Sequence, residues 1–246
     1  MVFRELQPRI GFPWATRVIG FMALGSLLIS IAIMKQRTTP ATKRRIFDLA
    51  AWKEAPYGLF GVGAFFGFLG LYIPFFYIIP YAVAKTGTSV SFAFYLVSIL
   101  NASSFFGRII PNYIADIVGP FNVLIPCMIM AGVLAFCWIA VHNVAGIVAF
   151  AIFYGFFSGT FVSLPASIIG SLSPDLKSVG ARMGMLFSVA GFGVLIGSPI
   201  GGTILNIVKM DYLHAQIFCG LTVLAGGLFI ALARIAKVGP SLMAKA

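Results

Sequence analysis

Val144–Gly170, VAGIVAFAIFYGFFSGTFVSLPASIIG, contains no Asp, Glu, Lys, Arg or His. An α-helix rises about 1.5 Å per residue and a bilayer's hydrocarbon core is about 30 Å thick, so about 20 apolar residues cross it. This stretch therefore reads as a membrane-spanning helix. Within it Gly155, Gly159, Ser163 and Ser167 recur at every fourth position. That spacing lines small residues along one face, where a neighbouring backbone can close to van der Waals contact.

Six further runs meet the same length criterion: Trp14–Met34, Tyr57–Val83, Ser91–Ile110, Phe121–Val141, Met183–Val208 and Leu213–Ala236. Composition agrees, with 60% hydrophobic and 9% charged residues and a mean hydropathy of +1.03. A soluble domain carries about 25% charged residues to cover its core, so the solvent here is lipid. The expected fold is all-α and integral to the membrane, with seven transmembrane helices. Gly193, Gly197 and Gly201, and Gly63 with Gly67, repeat the small-residue spacing. Pro74, Pro80, Pro165 and Pro199 lie inside spans, where a missing N–H frees a carbonyl and favours a kink.

The net charge of +11 would suggest nucleic acid in a soluble protein; in a membrane protein it marks cytoplasmic loops. Only one long connection exists, Lys35 to Pro56, and it holds Lys35, Arg37, Lys43, Arg44, Arg45 and Lys53. With Arg108, Lys177, Arg182, Arg234, Lys237 and Lys245 that side of the membrane carries twelve Lys and Arg, against five on the other: Arg4, Arg9, Arg17, Lys85 and Lys209. The positive-inside rule then places the N-terminus outside and the C-terminus in the cytoplasm. The sequence divides into an outer segment with the first span (1–34), a cytoplasmic connector (35–56) and a six-helix unit (57–246). Cys127, Cys137 and Cys219 all sit in apolar runs without CxxC or His/Cys spacing, so they read as small packing residues, and no metal or cofactor site is expected. The run after Arg4, Glu5 and Arg9 is too long for the core of a cleavable signal.

Charges inside spans are rare and therefore informative. Arg108 lies in the third span, in Asn101-Ala-Ser-Ser-Phe-Phe-Gly-Arg108, and Asn101, Ser104, Arg108 and Asn112 follow one helical stripe. Two readings stay open: a cation facing a bundle interior to meet an anionic solute, or an arginine snorkelling to the headgroups. Just beyond, Asp116 and Gly119 occupy a tight turn, where an aspartate caps a helix or pairs with a basic helix end.

Five segments occur in one order along the chain: Arg9-Ile-Gly-Phe-Pro-Trp-Ala-Thr-Arg17, Gly70-Leu-Tyr-Ile-Pro-Phe-Phe-Tyr77, Asn101 to Gly119, Gly155-Phe-Phe-Ser-Gly-Thr-Phe-Val-Ser163, and Gly193-Val-Leu-Ile-Gly-Ser-Pro-Ile-Gly-Gly202. The set resembles the monocarboxylate-porter branch of the major facilitator superfamily, in its fungal form. The resemblance implies twelve helices in two six-helix halves joined by a long cytoplasmic loop, which Lys35–Pro56 matches. The first span then corresponds to the sixth helix and the others to the C-terminal half, as in a fragment or truncated gene product. It also implies alternating access around a shared site, in the plasma membrane, for a small organic solute such as a monocarboxylate.

By the same resemblance Arg108 matches the arginine that meets the substrate carboxylate. Tyr72 and Ser163 stand near the central cavity, although Tyr72 also reads as an interface anchor and Ser163 as part of the small-residue face. Asn101 and Ser104 share the Arg108 stripe. Many animal members hold aspartate where Ser104 stands, which leaves a coupling proton open. Asp116 and Gly119 keep the acidic loop motif that gates the inner side, while Asn112, Ile117, Pro120 and Phe121 depart from it. The implied partners are the bilayer, the solute, and either the missing N-terminal half or a second copy; nucleic acid is not one. A seven-helix receptor or non-transporting sensor shares the topology, but the acidic-Arg-aromatic and Asn-Pro-x-x-Tyr patterns are missing from the third and seventh spans. No span carries paired carboxylates, HExxH or a Ser/His/Asp set, so no enzyme is expected.

The charge asymmetry gives a direct test. Labelling from outside with an impermeant thiol reagent should reach Gly87→Cys and miss Thr39→Cys; the opposite pattern would invert the topology.

Overall fold

The computed structural model describes residues 2–35, 47–205 and 211–240, with side chains from residue 6 onward. Thr39, Arg37, Lys43, Arg44 and Arg45, the end of the sixth expected span up to Val208, Lys209 and Lys245 lie outside the described residues, as does the side chain of Arg4.

Among the described residues eight α-helices follow one another: α1 Val2–Ile33, α2 Ala55–Leu71, α3 Ile73–Thr86, α4 Val90–Val118, α5 Pro120–Cys137, α6 Val144–Leu172, α7 Val179–Ile204 and α8 Leu213–Val238, with short 3-10 turns at Leu49–Lys53 and Trp138–Ala140. α2 and α3 make one membrane-length span, Ala55–Thr86, so the described residues contain seven such spans, as the sequence leads one to expect. The chain forms two units, Met1–Arg44 and Arg45–Ala246. The first contains α1, whose helical path is interrupted at Gly11. Its φ of 76° suits glycine and not an L side chain.

In the second unit α2, α5, α6 and α8 are the most covered helices, and α4 and α7 the least. α4 leans mainly on α6 and α7 mainly on α2. In lipid no hydrophobic force drives helices together, so contact depends on how closely backbones approach. The glycines set that distance. A Cβ at Gly107 of α4 would collide with the Phe156 carbonyl, and Cβ atoms at Gly155 and Gly159 of α6 would collide with the carbonyls of Leu100 and Ser104. Thr160 Oγ1 donates to the Gly107 carbonyl at 2.9 Å, and Ser103 Oγ to that of Ile152. On the other flank Gly193 and Gly197 of α7 meet the carbonyls of Phe65 and Leu69, while Gly63 and Gly67 of α2 meet Gly226 of α8. The expected small-residue faces are thus the helix seams, except that Ser167 is exposed and off the seam.

Of the four span prolines singled out from sequence, Pro74 coincides with a break, between α2 and α3 at Tyr72. Pro80, Pro165 and Pro199 lie within continuous helices. Pro74 lacks the N–H that the Gly70 carbonyl would otherwise accept. Side chains from two other helices reach the end of α2 instead: Cys219 Sγ donates to Gly70 O at 3.3 Å and Tyr154 Oη to Leu71 O at 2.8 Å. Neighbouring helices commonly re-satisfy backbone groups in this way inside membranes. The α4–α5 turn needs a single residue, Gly119, at φ 100°, and α5 opens on Pro120.

The seams predict a contrast between two conservative changes. Gly107→Ala forces α4 away from α6 and should destabilise by about 1–3 kcal/mol, whereas Gly191→Ala, whose Cβ meets nothing within 4 Å, should be neutral. Thermal unfolding in detergent measures both.

Candidate functional site

Along α4 the buried positions are Ala93, Leu96, Leu100, Ser103, Ser104, Gly107, Pro111 and Ala115, a narrow, mostly small-residue edge. That edge fits α6, and the rest of the helix surface stays open. Arg108 is exposed on it, flanked by exposed Phe105, Phe106, Ile109 and Ile110. No hydrogen bond or ion pair joins its guanidinium to another described residue. Among the described residues an unpaired cation therefore stands on an aromatic and aliphatic surface of one of the two least covered helices.

The stripe expected around Arg108 divides. Asn101 is exposed, and its Nδ2 donates to Val97 O at 2.8 Å. Ser104 turns into the α6 seam, 4% exposed, and donates to Asn101 O at 2.8 Å. It lies at the edge of the stripe, and the close approach of Gly159 covers it. Asn112 reaches across to α6, its Nδ2 lying 2.7 Å from Ser163 Oγ, and also meets the Arg108 carbonyl. Asn112 and Ser163 are thus brought together one turn beyond Arg108.

Tyr72 is half-buried at the α2–α3 junction, with its ring 6.3 Å from that of Phe68 and 5.5 Å from that of Phe75. No polar or ring contact among the described residues joins it to Arg108, Asn101 or Ser163. Asp116 is exposed on the last turns of α4, and Gly119 is buried in the turn that its positive φ permits.

A second polar cluster was not singled out from the sequence. Arg182, at the start of α7, is 2% exposed. Its Nε lies 2.9 Å from Asp48 Oδ2, its Nη1 and Nη2 lie 2.7 and 2.5 Å from the two Glu54 oxygens, and Nη1 also donates to Leu172 O at 2.9 Å. Tyr57 Oη donates to the Arg182 carbonyl at 2.8 Å, and the guanidinium lies 5.6 Å from the centre of the Tyr57 ring. The fork thereby joins the segment before α2, the end of α6 and the start of α7. In the sequence Arg182 stands out only as one more positive charge. The available signal was scarcity: the chain has six acidic residues, and two of them flank Leu49–Lys53. The same holds for Arg234; it is 5% exposed, with Nε 2.5 Å from Asn122 Oδ1.

Next to this cluster, between the segment before α2 and the first turns of α7, lies a mostly apolar hollow of about 390 Å³, lined by Phe47, Leu49, Trp52, Gly184, Met185, Ser188 and Val189.

Seven membrane-length spans among the described residues, glycine seams and two sparsely covered helices define an integral, multi-pass helical membrane protein. The sequence model of the major facilitator superfamily matches residues 60–243, and the chain belongs to that superfamily. It is 42% identical over 234 residues to the MFS-type transporter dbaD of Emericella nidulans, which covers 95% of this chain and 53% of that protein. It is 36% identical over 222 residues to the aspyridones efflux protein apdF of the same fungus, with 90% and 45% covered. To the agnestins efflux protein AgnL12 of Paecilomyces divaricatus it is 36% identical over 243 residues, with 98% and 55% covered. The chain thus spans about half the length of the curated relatives it matches. Among solved structures the Escherichia coli fucose:proton symporter FucP shares the fold, with a TM-score of 0.65 at 17% identity over 89% of this chain and 54% of that one.

The Arg182 fork gives a stability prediction. Arg182→Ala leaves Asp48 and Glu54 facing each other without a cation and should destabilise by about 3 kcal/mol, the low end for a broken buried pair because Glu54 is partly exposed. Arg182→Lys keeps the charge but not the two-pronged geometry and should recover only part of the loss. Both are read by thermal unfolding of the purified chain.

Proposed function

We propose that this chain supplies the C-terminal half, with one preceding helix, of a twelve-helix carrier that moves a small organic solute, a monocarboxylate or similar, by alternating access. The observation that carries the reading is the exposed Arg108 guanidinium on the open flank of α4, which no other described residue pairs with. Facing lipid near the helix centre, such a charge costs about 2.5–3.5 kcal/mol on insertion scales. Facing a second bundle, it lines an aqueous cleft and meets an anionic solute.

Relatives of about twice this length support an opposing half. The names of two of them, efflux proteins for aspyridones and agnestins, support organic metabolites as cargo and outward movement as the direction.

In this reading Arg108 holds the solute's negative charge, Asn101 stands about two turns away on the same open surface, and Tyr72 contributes from the α2–α3 junction. Ser163 contributes through its contact with Asn112. Ser104 supports Arg108 by packing α4 on α6, and as a hydroxyl it carries no coupling proton. Asp116, on the last turn of α4, and Gly119, in the turn that follows it, form the gating element. The connector and C-terminus face the cytoplasm, the plasma membrane is the site of action, and the opposing wall is an N-terminal half or a second copy.

The test co-expresses the chain with the preceding half of dbaD, its 42% identical relative, and measures transport of labelled organic acids. Arg108→Ala should lower transport at least about tenfold, the scale of one charge-assisted contact, and Arg108→Lys should retain part of it, with membrane insertion equal in all three. Transport unaffected by Arg108→Ala would leave the headgroup-facing reading of the arginine.

A further inference from the structure

A side chain from another helix touches both sides of the break at Tyr72. Tyr154 of α6 is fully buried. Its hydroxyl donates to Leu71 O, the last residue of α2, at 2.8 Å, while its ring packs edge-on at 6.5 Å against that of Phe75 in α3. Beneath it Cys219 of α8, also fully buried, sits 3.8 Å from the Tyr154 hydroxyl and donates to Gly70 O at 3.3 Å. Gly70 O is the carbonyl that Pro74 deprives of its helical donor. Tyr154 is itself fixed from behind: it stacks on Phe150 at 5.2 Å, Phe150 stacks on Trp138 at 5.2 Å, and Trp138 meets Tyr81 of α3 edge-on at 5.0 Å. The column therefore begins and ends on α3, with the α2 carbonyl held between.

We infer that Tyr154 and Cys219 are positioning residues: together they latch the α2–α3 junction and set the angle at which Tyr72 is presented. In hydrocarbon the carbonyls of Gly70 and Leu71 have no water to accept from; Gly70 O also takes the Tyr72 N–H, so the Tyr154 bond to Leu71 O is the main restraint on α3 turning relative to α2, and the Cys219 bond adds to it. The tyrosine is the stronger half, because a phenol donates better than a thiol. The latch rests on geometry; only its bearing on transport depends on the function proposed above.

The test needs no transport assay. In the full 246-residue chain, reconstituted in lipid with Cys127→Ala and Cys137→Ala, two rates are measured: amide hydrogen exchange at Ile73, Phe75 and Phe76, and alkylation of Cys219 by a membrane-permeant maleimide. Tyr154→Phe keeps the ring and deletes the donor; it should raise both rates about three- to tenfold, the range expected for one hydrogen bond, with exchange in the middle of α5 unchanged. Cys219→Ser keeps a donor and should leave junction exchange as it was, whereas Cys219→Ala should raise it about two- to threefold. Unaltered rates in Tyr154→Phe would overturn the latch. So would equal acceleration at the junction and in α5, because Tyr154 would then stabilise the bundle as a whole.

Discussion

A backbone carbonyl inside a bilayer has no water to fall back on, and the arrangement of this chain depends on that constraint. Helices satisfy their own carbonyls along most of their length. At the seams the glycines let carbonyls of one helix press against the bare backbone of the next, as Leu69 O does against Gly197 and Phe156 O against Gly107. Where Pro74 interrupts the ladder, donors arrive from α6 and α8. Close approach makes this possible, since side chains at a wider helix spacing would not reach those carbonyls.

The same economy explains why α4 looks as it does. Its contact with α6 uses one narrow edge of small residues, which leaves most of its circumference open. A helix held that way presents a cation at Arg108 without its own bundle neutralising it. α7, held on α2 by Gly193 and Gly197, is open in the same manner. At the other extreme Arg182 is enclosed by two carboxylates and a carbonyl. The two arginines divide between a saturated cluster at a helix end and an unsatisfied one on an open flank, a difference that directs the functional proposal to Arg108.

Much of the fold was legible because hydrophobic length and glycine spacing are local properties. Seven apolar runs gave seven spans, and Gly155, Gly159, Gly193 and Gly197 marked the seams before any partner was known. Pro74 marked a break, but Pro165 and Pro199 carry the same local signal inside continuous helices; the outcome depends on what neighbouring helices offer. The candidate site was less legible. Helical angles place Ser104 close to Arg108, yet α6 covers one and leaves the other open, and that depends on the seam's exact edge. Arg182 was opaque for another reason: its carboxylate partners lie 134 and 128 residues away along the chain, and no periodicity reports a contact of that range.

The central claim is that the flank bearing Arg108 is half of a transport cleft and requires an opposing wall. Uptake of labelled organic acids into liposomes containing only these purified 246 residues tests it most directly. For the monomeric chain the account predicts no uptake above protein-free liposomes, with activity appearing when a complementary half is reconstituted alongside. Saturable uptake by this chain alone, under conditions where it remains monomeric, would contradict it.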